Sequence, residues 1–192
     1  MSQEEKEKKD GGEALVGRLI KARVIMISEE ITDKLARAVT AQCILMQEED
    51  KDAPITVYVN SPGGSADSGF AIYDILRFVS PPIHMICTGI CASAAVLIYM
   101  AAEKSKRFSL PNSRFLLHQP STQLFGTASD IEINANQIIK LRERYNTIIA
   151  KETDKDVDTI TDDCDRDFWL SAEEAKEYGL VGKIAEKCSD IS

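Results

Sequence analysis

The sequence predicts one α/β domain in which most strands are parallel. Short runs of β-branched and aromatic residues alternate with helical patterns from residue 23 to residue 184. Strands that alternate with helices are typical of parallel sheets, and their crossover connections are right-handed. The 192 residues suffice for one hydrophobic core, and neither an internal repeat nor a domain boundary interrupts the pattern.

The first half of the chain contains three predicted strands, over residues 23–27, 55–59 and 83–88. Thr32 has the residue type of an N-cap, and the apolar residues after it recur at helical spacing. A second helix is expected over about residues 67–79, because two prolines follow it. Gly89 is expected to end the third strand, and an apolar helix is expected to begin near Ser93.

The second half contains three more predicted strands, over residues 107–110, 115–117 and 180–184. A long helix is predicted over about residues 128–153, with apolar positions on one side and many charges on the other. Ser171 and Glu174 form the pattern of a capping box for the last helix. Gly179 is expected to end that helix.

Composition and charge exclude several classes of protein. The net charge is −8 and lysines and arginines form no stripe, which argues against a nucleic-acid partner. The longest apolar run, residues 92–102, is about half of the roughly 20 residues that span a membrane. Residues 1–12 are charged and lack the apolar core of a secretory signal, and their acidic residues argue against a transit peptide. We therefore expect a cytoplasmic protein with no membrane partner.

The five cysteines match no zinc or redox motif. Their number is odd, and Cys87 and Cys91 fall across the predicted junction between a strand and a helix. We expect free thiols in a reducing compartment and no metal site.

Two junctions between a strand and a helix carry candidate catalytic groups. The two glycines within residues 60–65 form either a simple tight turn or a loop that aims N–H groups into a crevice. Ser93 lies at or near a helix N-terminus, where it is either a helix cap or a nucleophile. A lone serine at such a place is more often a cap, and the surrounding residues do not form a GxSxG elbow.

A nucleophilic serine needs a base, and the chain has two histidines. His84 lies in an apolar strand and is expected to be structural. His118 ends a strand, where parallel α/β folds place functional groups, although it could be an ordinary surface-loop residue. Four aspartates precede the run Phe-Trp-Leu, and spacing does not choose which of them would orient an imidazole. They are Asp162, Asp163, Asp165 and Asp167.

Four motifs together resemble the family of proteolytic subunits of the Clp protease. They are NSPGG, GICAS, LPNSRFLLHQP and DCDRDFWLSAEEAKEYGL, and they occur in the order and at the separations of that family. The resemblance covers about residues 17–186. Four motifs in register are far more specific than any one of them.

This resemblance implies a serine endopeptidase. Ser93 would be the nucleophile, His118 the general base and then acid, and Asp167 the orienting carboxylate. The backbone N–H groups of Gly64 and Ala94 would form the oxyanion hole. Peptide bonds would be hydrolysed through an acyl-enzyme, without a metal or an organic cofactor.

The resemblance also implies a crotonase-like ββα spiral with a protruding helical handle, formed by the long helix. Residues 17–192 would form one peptidase domain and residues 1–16 a flexible axial segment. Subunits would form stacked rings of seven that enclose the serines, with Arg166 in the contact between rings.

The partners implied are unfolded polypeptides and a ring-shaped, ATP-dependent AAA+ unfoldase. Tyr58, Phe78 and Phe108 fall where the family has hydrophobic docking pockets for the unfoldase. They could equally be ordinary core or interface aromatics.

Two departures from the family pattern suggest a divergent paralogue that needs a second subunit type. The family usually has Met-Gly after the nucleophile, where this chain has Ala94 and Ala95. Residues 1–16 do not match the family's axial segment.

The sequence disfavours three alternative functions. An acyl-CoA enzyme of the crotonase-like fold and a non-catalytic ring subunit are disfavoured because neither needs a Ser-His-Asp set. A signal-peptide peptidase with a Ser-Lys dyad is disfavoured by His118 and by the lack of a membrane anchor.

Overall fold

The structure, a computed structural model, describes residues 15–191. The helices are α1 (15–21), α2 (Asp33–Glu49), α3 (Ala66–Phe78), α4 (Ala94–Tyr99), α5 (Ala128–Thr153), α6 (Val157–Asp163) and α7 (Ala172–Tyr178). The strands are β1 (Val24–Ile27), β2 (Ile55–Ser61), β3 (Ile83–Ala92), β4 (Arg107–Ser109), β5 (Arg114–Leu117), β6 (Phe168–Ser171) and β7 (Lys183–Ile184). Of the predicted axial segment 1–16, residues 1–14 lie outside the described residues.

The strands form one sheet that branches at β3. The main path runs β1-β2-β3-β4-β7, and β5 pairs with both β3 and β6. Every pair is parallel except β5 with β6, which is antiparallel. The predicted α/β class with largely parallel strands is confirmed. The branch matters for function because it brings the ends of β3, β5 and β6 together.

Local capping signals position the helix ends as predicted. The Thr32 hydroxyl accepts a hydrogen bond from the Leu35 N–H at 3.3 Å at the start of α2. Ser171 and Glu174 form the reciprocal capping box of α7. Gly179 ends α7 with a φ of +100°, a left-handed conformation that favours glycine. These helix ends are stabilised by residues only a few positions away in the chain, which explains why the sequence predicts them.

Gly89 does not end the third strand, contrary to the prediction. β3 continues to Ala92, because it changes partner at this point: its first part pairs with β4, and residues 90–92 pair with β5. Asn60 supports the change, since its Oδ1 accepts a hydrogen bond from the Ile90 N–H at 3.0 Å. A Cβ on Gly89 would lie 2.5 Å from that oxygen, so glycine allows the approach. β3 therefore ends at the residue directly before Ser93.

The same continuation places Cys87 and Cys91 on one strand rather than across a junction. All five cysteines are free thiols, and only Cys188 is exposed. Helix α6 and strand β6 were not predicted. The acidic run that precedes β6 resembles a loop in sequence, and β6 forms because it pairs with β5.

A buried arginine ties β4 to the end of α5. The Arg107 side chain is 1% exposed, and its Nη2 lies 2.7 Å from Oε2 of Glu152. Its Nε donates to the Ala102 carbonyl at 2.9 Å. Glu152 also contacts the more exposed Arg77, with 3.0 Å between Nη1 and Oε1. Arg107 thus joins β4 and the segment that precedes it to the end of α5.

Replacing Arg107 by alanine is expected to lower the free energy of unfolding by about 3–5 kcal/mol, because Glu152 would be left largely buried without its main partner. The Arg77→Ala change removes the exposed partner of the same carboxylate, and the expected loss is below about 1 kcal/mol. Urea unfolding at one subunit concentration measures both values. Equal losses for the two variants would contradict this assignment.

No helix within residues 15–191 is both long enough and apolar enough to cross a membrane.

Candidate active site

Ser93 stands between β3 and α4 in a strained backbone conformation. Its φ is +56° and its ψ is −123°, which a residue with a side chain rarely adopts. The backbone is held by two hydrogen bonds, from the Ser93 N–H to the Leu116 carbonyl at 2.9 Å and from the Val96 N–H to the Ser93 carbonyl at 3.0 Å. Although Ser93 occupies the N-cap position, its side chain makes no capping hydrogen bond. The Ser93 side chain therefore does not cap α4, and its hydroxyl makes no hydrogen bond to any group within residues 15–191.

The glycine loop lies directly against Ser93. Gly63 has a φ of +95°, and a Cβ there would lie 2.7 Å from both the Ala92 carbonyl oxygen and the Ser93 Cβ. The loop is anchored from its other side by Ile31, whose N–H donates to the Gly63 carbonyl at 2.8 Å. Ile31 also accepts from the Ser65 N–H at 2.9 Å. These contacts show that the loop packs directly against Ser93.

The backbone N–H groups of Gly64 and Ala94 lie near Ser93 and donate to no acceptor within residues 15–191. Both residues line the cavity that contains Ser93. Unpaired N–H groups at a helix start and a glycine loop suit a developing negative charge.

His118 and Asp167 meet because β5 and β6 pair. Leu117 lies opposite Phe168, so the residues just outside this pair are brought together. The His118 Nδ1 lies 3.2 Å from Oδ1 of Asp167. The other ring nitrogen is left for a second partner, and His118 lines the same cavity as Ser93. This is the arrangement of a base with its orienting carboxylate.

The other three aspartates of the acidic cluster do not contact His118. Asp163 accepts from the Tyr178 hydroxyl at 2.6 Å, and Asp165 accepts from Gln119 Nε2 at 3.1 Å. The choice that spacing left open thus falls on Asp167. In the single chain the Asp167 side chain is 64% exposed and that of His118 is 29% exposed.

Gln119 connects the segment that contains His118 to the segment that contains Asp167 through hydrogen bonds. Its N–H donates to the Cys164 carbonyl at 2.7 Å, and its side chain donates to the Asp165 carbonyl at 2.9 Å. Sequence reasoning did not single out this residue. Its position next to His118 was the available signal.

The cavity around Ser93 has a volume of about 320 Å³. Its wall includes Phe70, Leu97, Leu141 and Tyr145 and carries no acidic residue, lysine or arginine. Such a wall suits an apolar substrate side chain. Within residues 15–191, no cluster of His, Cys, Asp and Glu could hold a metal ion.

Tyr145 on α5 was missed by sequence reasoning. It is 6% exposed, and its hydroxyl lies 3.4 Å from the Ser93 carbonyl oxygen. No sequence signal pointed to it, because it is 52 residues away in a long amphipathic helix. Cys91 is a poor rival nucleophile for Ser93, since burial raises the pKa of its thiol well above the usual value.

The residues predicted for partner contacts differ in exposure. Phe78 is 81% exposed, and Tyr58 is half-buried. Phe108 is 2% exposed and packs edge-on against His84, with 6.3 Å between ring centroids, so it offers no surface to a partner. His84 is half-buried on β3, and burial lowers its pKa. The Arg166 side chain is 90% exposed, 3.7 Å from Asp165.

The chain is similar to known proteins over most of its length. The family model described as Clp protease matches residues 7–188. The chain belongs to the Clp protease family. Relatives include ATP-dependent Clp protease proteolytic subunit 2 of Treponema denticola, 42% identical over 99% of this chain and 95% of that protein. Proteolytic subunit 3 of Rhizobium johnstonii is 49% identical over 94% of this chain and 92% of that protein.

A solved structure gives the same result for the fold. A ClpP1 mutant from Listeria monocytogenes superposes with a TM-score of 0.86 at 43% identity, covering 93% of this chain and 99% of that one. The predicted ClpP fold, a crotonase-like spiral, is therefore confirmed. Members of the Clp protease family are serine peptidases, so this chain is placed in that enzyme class.

The departure at Ala94 and Ala95 is accommodated in this member of the Clp protease family. α4 begins directly after Ser93, and both alanines are buried in it. Gly69 of α3 makes room, since a Cβ on it would lie 3.1 Å from the Ala94 Cβ. The Ala94 N–H beside Ser93 has no acceptor among the described residues.

Proposed function

We propose that this chain hydrolyses peptide bonds through an acyl-enzyme, with Ser93, His118 and Asp167 as the catalytic triad. The observation that carries the proposal is the contact between His118 Nδ1 and Asp167 Oδ1 beside the same cavity as Ser93. The strained backbone and uncapped hydroxyl of Ser93 support it.

The steps follow from the roles of these three residues. The Ser93 Oγ attacks the scissile carbonyl carbon while His118 takes its proton, and a tetrahedral oxyanion forms. When that intermediate collapses, the C–N bond breaks and His118 gives the proton to the leaving amine. Water, activated by His118, then hydrolyses the Ser93 ester. Asp167 holds the imidazole in the required tautomer throughout.

The N–H groups of Gly64 and Ala94 bind the oxyanion in this proposal. Their lack of an acceptor within the described residues and their place on the cavity wall support the assignment. Donors that are already oriented stabilise developing charge without reorganisation.

The substrate is an unfolded polypeptide, and the working form is an assembly. Relatives are named ATP-dependent Clp protease proteolytic subunits. We propose stacked rings of seven, fed by an AAA+ unfoldase in the cytoplasm, with a second paralogue as a ring partner. The exposed apolar residues of α5 suit a subunit interface. They are Ile131, Ile133 and Ile139.

The division of the chain follows from the same proposal. Residues 17–192 form the peptidase domain, and residues 1–16 form the axial segment. Phe78 and Tyr58 belong to the unfoldase contact, to which the exposure of Phe78 makes it suited.

A fluorophosphonate probe tests the proposed chemistry. The purified oligomer is treated with the probe, and the adduct is read by intact mass and located by peptide sequencing. One adduct per chain on Ser93 is the expected result, because the probe needs an activated serine. A folded oligomer that remains unlabelled, or is labelled at another serine, would contradict the proposed triad.

Replacing Arg166 by alanine is expected to weaken the contact between rings, because its side chain is 90% exposed and within reach of a partner subunit. Loss of one interfacial charge pair removes about 2–5 kcal/mol, so double rings should dissociate at concentrations where the wild type stays assembled. Sedimentation velocity across a dilution series measures this. Arg37→Ala removes an exposed arginine from α2 and should leave the assembly unchanged.

A further inference from the structure

We infer that Tyr145 is a positioning residue that holds the Ser93–Ala94 peptide and thereby aims the Ala94 N–H at the oxyanion. This inference rests on the proposed function, since it concerns a group of the same site. It adds a residue of the long helix α5 to a site otherwise built from strand ends and loops.

The contact lies within the cavity wall. The Tyr145 hydroxyl donates to the Ser93 carbonyl oxygen at 3.4 Å, and both residues line the cavity. Tyr145 is 6% exposed, so water competes little for this contact. Burial also raises the pKa of the phenol well above its usual value, which keeps the hydroxyl protonated and able to donate.

The geometry of the peptide bond connects this contact to catalysis. The Ser93 carbonyl and the Ala94 N–H belong to one planar peptide unit, in which they point in opposite directions. The oxygen accepts from two groups, the Val96 N–H at 3.0 Å and the Tyr145 hydroxyl. Two donors on one carbonyl restrict rotation of the peptide plane, so the Ala94 N–H direction is restricted too. Hydrogen bonds to the oxygen also polarise the peptide and make its N–H a better donor.

The strain at Ser93 makes such support necessary. A residue with a side chain at φ +56° and ψ −123° persists only where its surroundings hold it. Leu116 holds the N–H side of Ser93, through a hydrogen bond of 2.9 Å. Tyr145 and Val96 hold the carbonyl side. Removing the Tyr145 hydroxyl would loosen the Ser93–Ala94 peptide, which carries the N–H group that binds the oxyanion.

The test compares Tyr145→Phe with Tyr99→Phe. Tyr99 is also buried, and its hydroxyl donates to a backbone carbonyl, that of Phe108, at 2.8 Å. Both variants therefore lose one hydroxyl of the same kind, but only Tyr145 contacts Ser93. Assembly is matched by gel filtration before the rates are compared.

Two readouts separate positioning from packing. With a fluorogenic peptide amide, Tyr145→Phe should lower kcat about 3- to 10-fold, the effect of one neutral hydrogen bond, with KM nearly unchanged. A peptidyl trifluoromethyl ketone, which adds to the serine as a tetrahedral oxyanion, should bind more weakly by the same factor. Tyr99→Phe should leave both values at the wild-type level.

The outcomes distinguish this inference from the proposed function. Wild-type kcat and ketone affinity in Tyr145→Phe would overturn the positioning role while leaving the triad intact. A higher KM or a lower Tm with unchanged kcat would show a packing role only, and would overturn it as well. A wild-type assembly that neither hydrolyses peptide nor binds the ketone, even with the second paralogue in the ring, would instead refute the proposed function.

Discussion

Ser93→Ala is expected to abolish peptide hydrolysis and fluorophosphonate labelling. The change removes the attacking oxygen, and loss of the nucleophile from such a triad lowers kcat about 10⁶-fold. The backbone around the residue should persist, because its hydrogen bonds with Leu116 and Val96 involve only main-chain atoms. Steady-state hydrolysis of a fluorogenic peptide measures the loss.

Ser121→Ala is the matched control for this change. Ser121 lines the same cavity and is exposed, but it belongs to the segment between β5 and α5. Its loss should leave kcat within about 2-fold of the wild type, as expected for a surface residue outside the reacting atoms. If Ser93→Ala retained wild-type hydrolysis, or if Ser121→Ala lost it, the nucleophile would have been assigned wrongly.

Asp167→Asn is expected to lower kcat about 10⁴-fold with little effect on folding. An amide at this position can donate to His118 Nδ1, now 3.2 Å from a carboxylate oxygen, and would stabilise the wrong tautomer. The imidazole would then present a proton to Ser93 and could not act as the base. The fall should appear in kcat and in the rate of fluorophosphonate labelling, with Tm close to that of the wild type.

The control is Asp162→Asn, which removes one charge from the same acidic cluster. Asp162 is exposed and has no side-chain hydrogen bond within residues 15–191. Its kcat should stay at the wild-type level, because surface charges away from the site contribute little. Equal falls for both variants would indicate a general charge effect and would contradict the orienting role.

Elements specified by neighbouring residues could be predicted from sequence. The bounds predicted for the long helix, 128–153, agree with α5. Thr32 and Ser171 cap their helices as predicted, because a capping side chain reaches N–H groups only two or three residues away. The hydrophobic periodicity that predicts a helix likewise depends on residues only a few helical turns apart.

Elements specified by pairing partners could not be predicted in the same way. Gly89 resembled a strand end, yet β3 continues past it because β5 supplies a new neighbour and Asn60 binds the Ile90 N–H. β6 follows an acidic run with the composition of a loop, and it forms against β5. In both cases the stabilising groups come from distant parts of the chain.

The candidate site shows the same difference between features specified by neighbouring residues and features specified by distant ones. Residue types and motif order pointed to Ser93, His118 and Asp167, and to Gly64 and Ala94 beside them, because the family motifs are local strings of sequence. Whether Ser93 capped its helix and which aspartate faced the histidine depended on packing. His118 and Asp167 are 49 residues apart, and Tyr145 is 52 residues from Ser93. Contacts over such separations form only when the sheet and α5 have been assembled, so only the tertiary structure shows that Asp167 contacts His118 and that Tyr145 contacts Ser93.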